Sequence, residues 1–250
     1  MQKLLRTITA AGIALVCFSA NAAAQAFPKV SVEVGQATEP SELSTTLQII
    51  ILLTILALAP SILIMITSFI RLTVVLAFLR QAMGSQQMPP NQVMVGLALI
   101  LTFFIMWPTF TKSYDEGIKP YLEKQIDGDQ AYDKTIAPFR KFMLAQTREQ
   151  DLALFVNIAG LKAPENADDI PLQVLVPGFV ISELRTAFQI AFVIFIPFLV
   201  IDMVVASVLL SMGMMMLPPI IVSLPFKILL FVLVDGWYLL VKSLVESFHV

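Results

Sequence analysis

Cysteine and histidine are almost missing from this 250-residue chain, which carries one of each, Cys17 and His249. With that supply no Cys/His zinc cluster, no Cys–His dyad and no Ser–His–Asp triad can be assembled. No intramolecular disulfide can form either. Neither G-x-x-x-x-G-K-[ST] nor G-x-G-x-x-G occurs, so nothing points to a bound nucleotide. Charge is scarce too: Asp, Glu, Lys and Arg make up 14% of residues, with a formal net charge of −2. There is no basic surplus to recruit nucleic acid. The absences together point away from an enzyme, a metal and a cofactor.

What is present is hydrocarbon. Hydrophobic residues make up 58% of the chain and the mean hydropathy is +0.84, which moves the expectation to the membrane class. Residues 1–24 read as a signal peptide. Lys3 and Arg6 form its positive start, Ile8 to Phe18 its short apolar run, and the small residues from Ala20 onward its cleavage region. The run is too short to span about 30 Å of hydrocarbon comfortably. A cleaved leader would start the mature chain on the trans side of an inner membrane. Residues 25–45, with Pro28, Gly35 and Pro40, read as a flexible periplasmic N-terminus.

The rest predicts an all-α protein: four long apolar helices in two hairpins, with a small helical insert between them, assembling as a ring. Residues 46–111 are the first hairpin. Leu47 to Leu79 is apolar apart from Arg71, and Pro60 is expected to kink or break it. Arg80 to Pro90 is a polar turn, and Val93 to Phe110 forms the second helix, with Trp107 near its end as an interfacial residue. Residues 112–182 carry most of the charge and read as the insert, with a mildly amphipathic helical pattern in Phe139, Phe142, Met143, Phe155, Val156 and Ile158. Residues 183–250 form the second hairpin, its helices running from about Ser182 to Ser211 and from Ile220 to Glu246. Two crossings after a cleaved leader put the insert in the periplasm.

Between Thr186 and Val241 only Asp202, Lys227 and Asp235 are charged. A charge in an apolar run needs a partner or a watery cavity. Arg71, Arg148, Glu183, Arg185, Asp202, Lys227 and Asp235 are the candidates for ion pairs between helices or subunits. For Glu183 and Arg185, at a helix start, snorkelling to the interface fits equally well. A proton relay would string several titratable groups through the span, and histidine is missing. The second notable feature is Met214-Met215-Met216, set between Gly213 and Pro218-Pro219. Thioethers are unbranched and repack easily. Neighbouring side chains on a helix point about 100° apart, so all three cannot share one face. Some face a cavity, lipid or another subunit. Gly213, Pro218 and Pro219, with Pro60, are the expected hinges.

Several long stretches resemble one family. They are Pro60-Ser61-Ile62-Leu63, Thr67-Ser68-Phe69-Ile70-Arg71, Arg80-Gln81-Ala82-Met83-Gly84 and Gln86-Gln87-Met88-Pro89-Pro90-Asn91-Gln92 in the first half. In the second half they are Phe179 to Phe188, Ile196 to Asp202, Met212 to Pro219, Leu224-Pro225-Phe226-Lys227 and Leu233-Val234-Asp235-Gly236-Trp237. These resemble the FliP family, over roughly residues 45–245. The resemblance implies a core subunit of the flagellar type III export gate: a homo-pentamer joined by FliQ-like and FliR-like membrane subunits and other export-apparatus proteins. It implies a tapering channel for unfolded flagellar polypeptides, seated in the lipid of the bacterial inner membrane within the flagellar basal body. The methionines at 214–216 would form a gasket around the closed pore. Virulence injectisomes have a close counterpart, but the leader favours the flagellar member. A secondary transporter or proton channel is the rival from another class; it would typically show repeat symmetry, and no convincing internal repeat is found.

Overall fold

Long apolar runs leave the backbone one economical solution in a dry environment, the helix, which satisfies its own N–H and C=O groups. The computed structural model describes residues 40–85, 89–161, 166, 169–214 and 216–248. The expected signal peptide, residues 25–39, Met215 and His249 lie outside the described residues. Two units are distinguished, residues 1–52 and residues 53–250. Among the described residues all regular structure is helical.

Helix α1 spans Pro40–Met65, and its stretch Leu47–Met65 is apolar enough to cross a membrane, with none of its residues buried. Here the structure corrects the sequence reading. The helix is unbroken at Pro60, and the interruption falls at Ile66–Ser68. Proline forfeits one backbone bond, a local loss that the flanking turns carry. The helix stops instead where one short hydroxyl side chain competes for its backbone: Thr67 Oγ1 donates to Ile64 O at 3.3 Å. Helix α2, Phe69–Ala82, follows.

Helix α3 spans Asn91–Ser113 and continues through a π-helical turn at Tyr114–Ile118 into α4, Lys119–Leu122. The continuous run of 32 residues carries the second helix well into the expected insert. The reason lies at Gly117. A Cβ there would sit 2.7 Å from the Thr135 backbone nitrogen, and Ser113 Oγ donates to Thr135 O at 2.7 Å. Small residues let α3 meet α5, Gly128–Gln146, almost backbone to backbone. Asp127 caps α5 by accepting from Gln130 N–H at 2.8 Å. Helix α6 spans Glu149–Ile158.

Helix α7, Leu172–Ser211, is 40 residues long, which at 1.5 Å per residue is about 60 Å. It starts a few turns before the expected Ser182, with Pro171 as its N-cap. The expected fourth helix is broken. Helix α8, Pro219–Leu233, and α9, Gly236–Glu246, meet at 65°. Asp235 makes the break with φ +52°. A side chain at Gly236 would collide with the Phe231 ring, so glycine lets that ring close under the bend.

The core forms where α2 packs on α7 and where α5, α6 and α8 pack along the same long helix. Leu72, Val75, Leu76, Leu79, Leu175 and Phe179 are fully or almost fully buried there. Phe142 meets Phe179 edge-on at 5.9 Å and stacks with Phe248 at 6.3 Å. Among the described residues, three helical stretches are long and apolar enough to cross a membrane, or four if the bent α8–α9 pair counts as one span.

Candidate functional site

Arg71 sits near the start of α2, where the sequence offers no acid. It is 2% exposed, and Glu183 of α7 is 0% exposed. Arg71 Nε donates to Glu183 Oε2 at 2.9 Å, and Nη2 donates to Glu183 Oε1. Nη1 reaches Ser247 O at 2.8 Å and Ser247 Oγ at 3.0 Å, just past the end of α9. Nη2 also reaches Gln146 Oε1 of α5 at 3.2 Å. Guanidinium has five N–H donors in a fixed fork, and here all are used. The Phe248 ring lies beneath it, 3.9 Å from Cζ to the ring centre, close enough for a cation–π contact. One side chain therefore ties together α2, α5, α7 and the end of α9. Glu183 does not snorkel within this chain; burial and the fork account for it.

The second cluster joins α2, α7 and α8. Buried Lys227 Nζ lies 2.6 Å from Asp202 Oδ2 and donates to Ala82 O at 3.1 Å. Ser223 Oγ donates to the other Asp202 oxygen at 2.5 Å. The ammonium thus neutralises Asp202 and also answers a carbonyl at the end of α2. A cavity of about 630 Å³ opens beside the pair, with Arg80, Gln81 and Phe195 on its walls.

The remaining expected charges behave differently. Arg148 finds an amide rather than a carboxylate: its Nη2 donates to Gln189 Oε1 at 2.9 Å. Its backbone N–H donates to Ser182 Oγ at 3.1 Å, and Ser182 Oγ donates to Asp151 Oδ2 at 2.7 Å. The sequence reading missed Ser182 and Asp151. The signal was there in an acid in the first turn of α6 and a serine beside Glu183. Arg185 and Asp235 are exposed, and neither has an ion-pair partner among the described residues.

Helix α7 ends in a Schellman cap at the methionine turn. Gly213, with φ +74°, donates its N–H to Leu210 O at 3.1 Å, and Met214 N–H reaches back to Leu209 O at 3.0 Å. Pro218, extended, caps α8, and Pro219 occupies its first turn, where the missing N–H is no loss. Glycine and prolines thus shape a tight reversal. At its tip Met214 is 39% and Met216 97% exposed; Met215 lies outside the described residues.

A family model described as the FliP family matches residues 52–244. The chain is 57% identical over 217 residues to "Flagellar biosynthetic protein FliP" of Bacillus subtilis (strain 168), covering 87% of this chain and 98% of that protein. It is 53% identical over 236 residues to the protein of that name from Caulobacter vibrioides, covering 94% of this chain and 88% of that one. Against the Aquifex aeolicus protein of that name it is 46% identical over 241 residues, with 95% and 98% covered.

Proposed function

This chain belongs to the FliP family, and from that premise we propose that it is a core subunit of the flagellar type III export gate. It is a transport component of the bacterial inner membrane and basal body, with no active site and no cofactor. Five copies, as the resemblance implies, ring a protein-conducting channel with FliQ-like and FliR-like subunits, and unfolded flagellar polypeptides pass through it. The observation that carries this reading is the bare methionine tip between α7 and α8. A channel subunit can use such a flexible apolar tip as a seal. Met214, Met215 and Met216 of successive copies close the pore as a hydrophobic gasket that excludes ions by dewetting and yields to polypeptide because thioethers repack. Gly213, Pro218 and Pro219 hold the tip as a hinged turn.

Helix α7 supports a further part of the reading. Its length of about 60 Å is twice the roughly 30 Å of a hydrocarbon core. One end of the helix, with the insert 112–182, stands outside the bilayer on the periplasmic side.

The test is conductance. The complex in which all three methionines are replaced by alanine should assemble, since no embedded charge is lost, and should leak small ions in a planar bilayer and in cells overproducing the gate. A complex assembled at full yield with no added conductance would return these residues to ordinary packing.

A further inference from the structure

The break between α8 and α9 leaves an unexplained charge. Asp235 adopts φ +52° and ψ +53° with no side-chain hydrogen bond to the helix it precedes. Its backbone is satisfied: its N–H donates to Val232 O and its carbonyl accepts from Leu239 N–H, both at 3.1 Å. The left-handed conformation explains a small polar residue, but asparagine or glycine adopts it as readily. The turn needs no carboxylate. In so apolar a segment an ionised aspartate is costly and too short to reach far, yet it has no cation among the described residues.

Both neighbours of Asp235, Val234 and Gly236, line a groove of about 650 Å³ whose walls are almost wholly apolar, with Val193 and Pro197 of α7 on one side and Leu230 and Leu239 on the other. The bend itself opens this groove. The last carbonyls of α8 point their partial negative charge at the same break. A lipid chain would match the walls and leave the carboxylate unanswered. A helix of matching polarity with one cation answers both.

We propose that this groove docks an apolar helix of a neighbouring membrane subunit that carries one arginine or lysine, whose cation meets Asp235 and the end of α8. Arginine suits the place better, since its fork can engage carboxylate and carbonyl together. The proposal rests on the reading of the chain as a subunit of a membrane assembly.

The experiment uses the full chain, tagged, in a flagellated host that makes the other membrane subunits. Asp235→Asn keeps the turn and removes only the charge; Asp235→Lys reverses it. Both should lower the yield of co-purified membrane subunits, Asp235→Lys by roughly tenfold, with the level of the chain itself unchanged. Motile revertants of Asp235→Lys should carry an acidic or neutral replacement of one basic residue in an apolar helix of another subunit. Wild-type yield for both variants, or revertants confined to this chain, overturns the site. So does a variant that loses co-purified phospholipid and no subunit, which would make the occupant a lipid. If even the wild-type chain recovers no other membrane subunit, it is the assembly reading that falls.

Discussion

Arg71 and Glu183 lie 112 residues apart in the chain and meet as a fork on a fork, out of contact with water. Each is the only ion-pair partner of the other among the described residues. The guanidinium also holds Ser247 and Gln146, so the pair fixes where the end of α9 lies against α2 and α7. Removing one partner of such a pair leaves the other charged and buried, a loss of about 3–5 kcal/mol.

Glu183→Ala should therefore lower the amount of folded chain extracted in detergent, and lower its melting temperature. Arg71→Lys should be almost as harmful, because an ammonium cannot keep the two-pronged contact. Wild-type melting for both variants would show that the hydrophobic packing around the pair carries the fold alone.

The Lys227–Asp202 pair is half open, with Asp202 32% exposed. Asp202→Ala leaves Lys227 buried with only Ala82 O and should be more damaging than the double change Asp202→Asn with Lys227→Met, which removes both charges. The comparison is complex yield in detergent. A double variant worse than the single one would mean that the charges act on something other than each other.

Gly117 and Gly236 are close-approach glycines. Gly117→Val drives a branched side chain into the Thr135 backbone, and overpacking of that kind costs about 1–3 kcal/mol. Gly128, with nothing within 4 Å of its would-be Cβ, serves as the control. Gly117→Val should lose folded yield and Gly128→Ala should not. Equal yields would mean that the π-helical turn adjusts freely.

Topology is open to a direct measurement. A reporter enzyme active only in the periplasm, inserted at Gly128 in the exposed start of α5, should be active. Activity there from a cytoplasmic reporter alone would reverse the orientation assigned to the insert.

The methionine turn and the embedded charges were legible because each violates its surroundings: flexible apolar side chains beside Gly213 and a double proline, ionised groups inside hydrocarbon. Helix type was legible for the same reason, from run length alone. The helix ends were not. Pro60 looked like a break and the helix continues through it, to be interrupted at Ile66–Ser68, where nothing in the sequence looked like an end. Asp235 looked like one more embedded charge and is also the residue on which α8 and α9 part. Such outcomes depend on how neighbouring turns share backbone bonds and on which ring must fit beneath a bend, and periodicity carries neither.

By itself the sequence determined that this protein is helical and built of spans fit for a membrane, with a single cysteine and a single histidine. Those follow from composition and run length, which are properties of the chain read in order. Only the tertiary structure decided that Arg71 would meet Glu183 rather than another acid, that Lys227 would take Asp202, and that Asp235 and Arg185 would be left outward. Charges attract without a code for sequence separation, so partners are chosen by which helix faces packing brings within reach, and α7, long enough to touch both clusters, makes that choice.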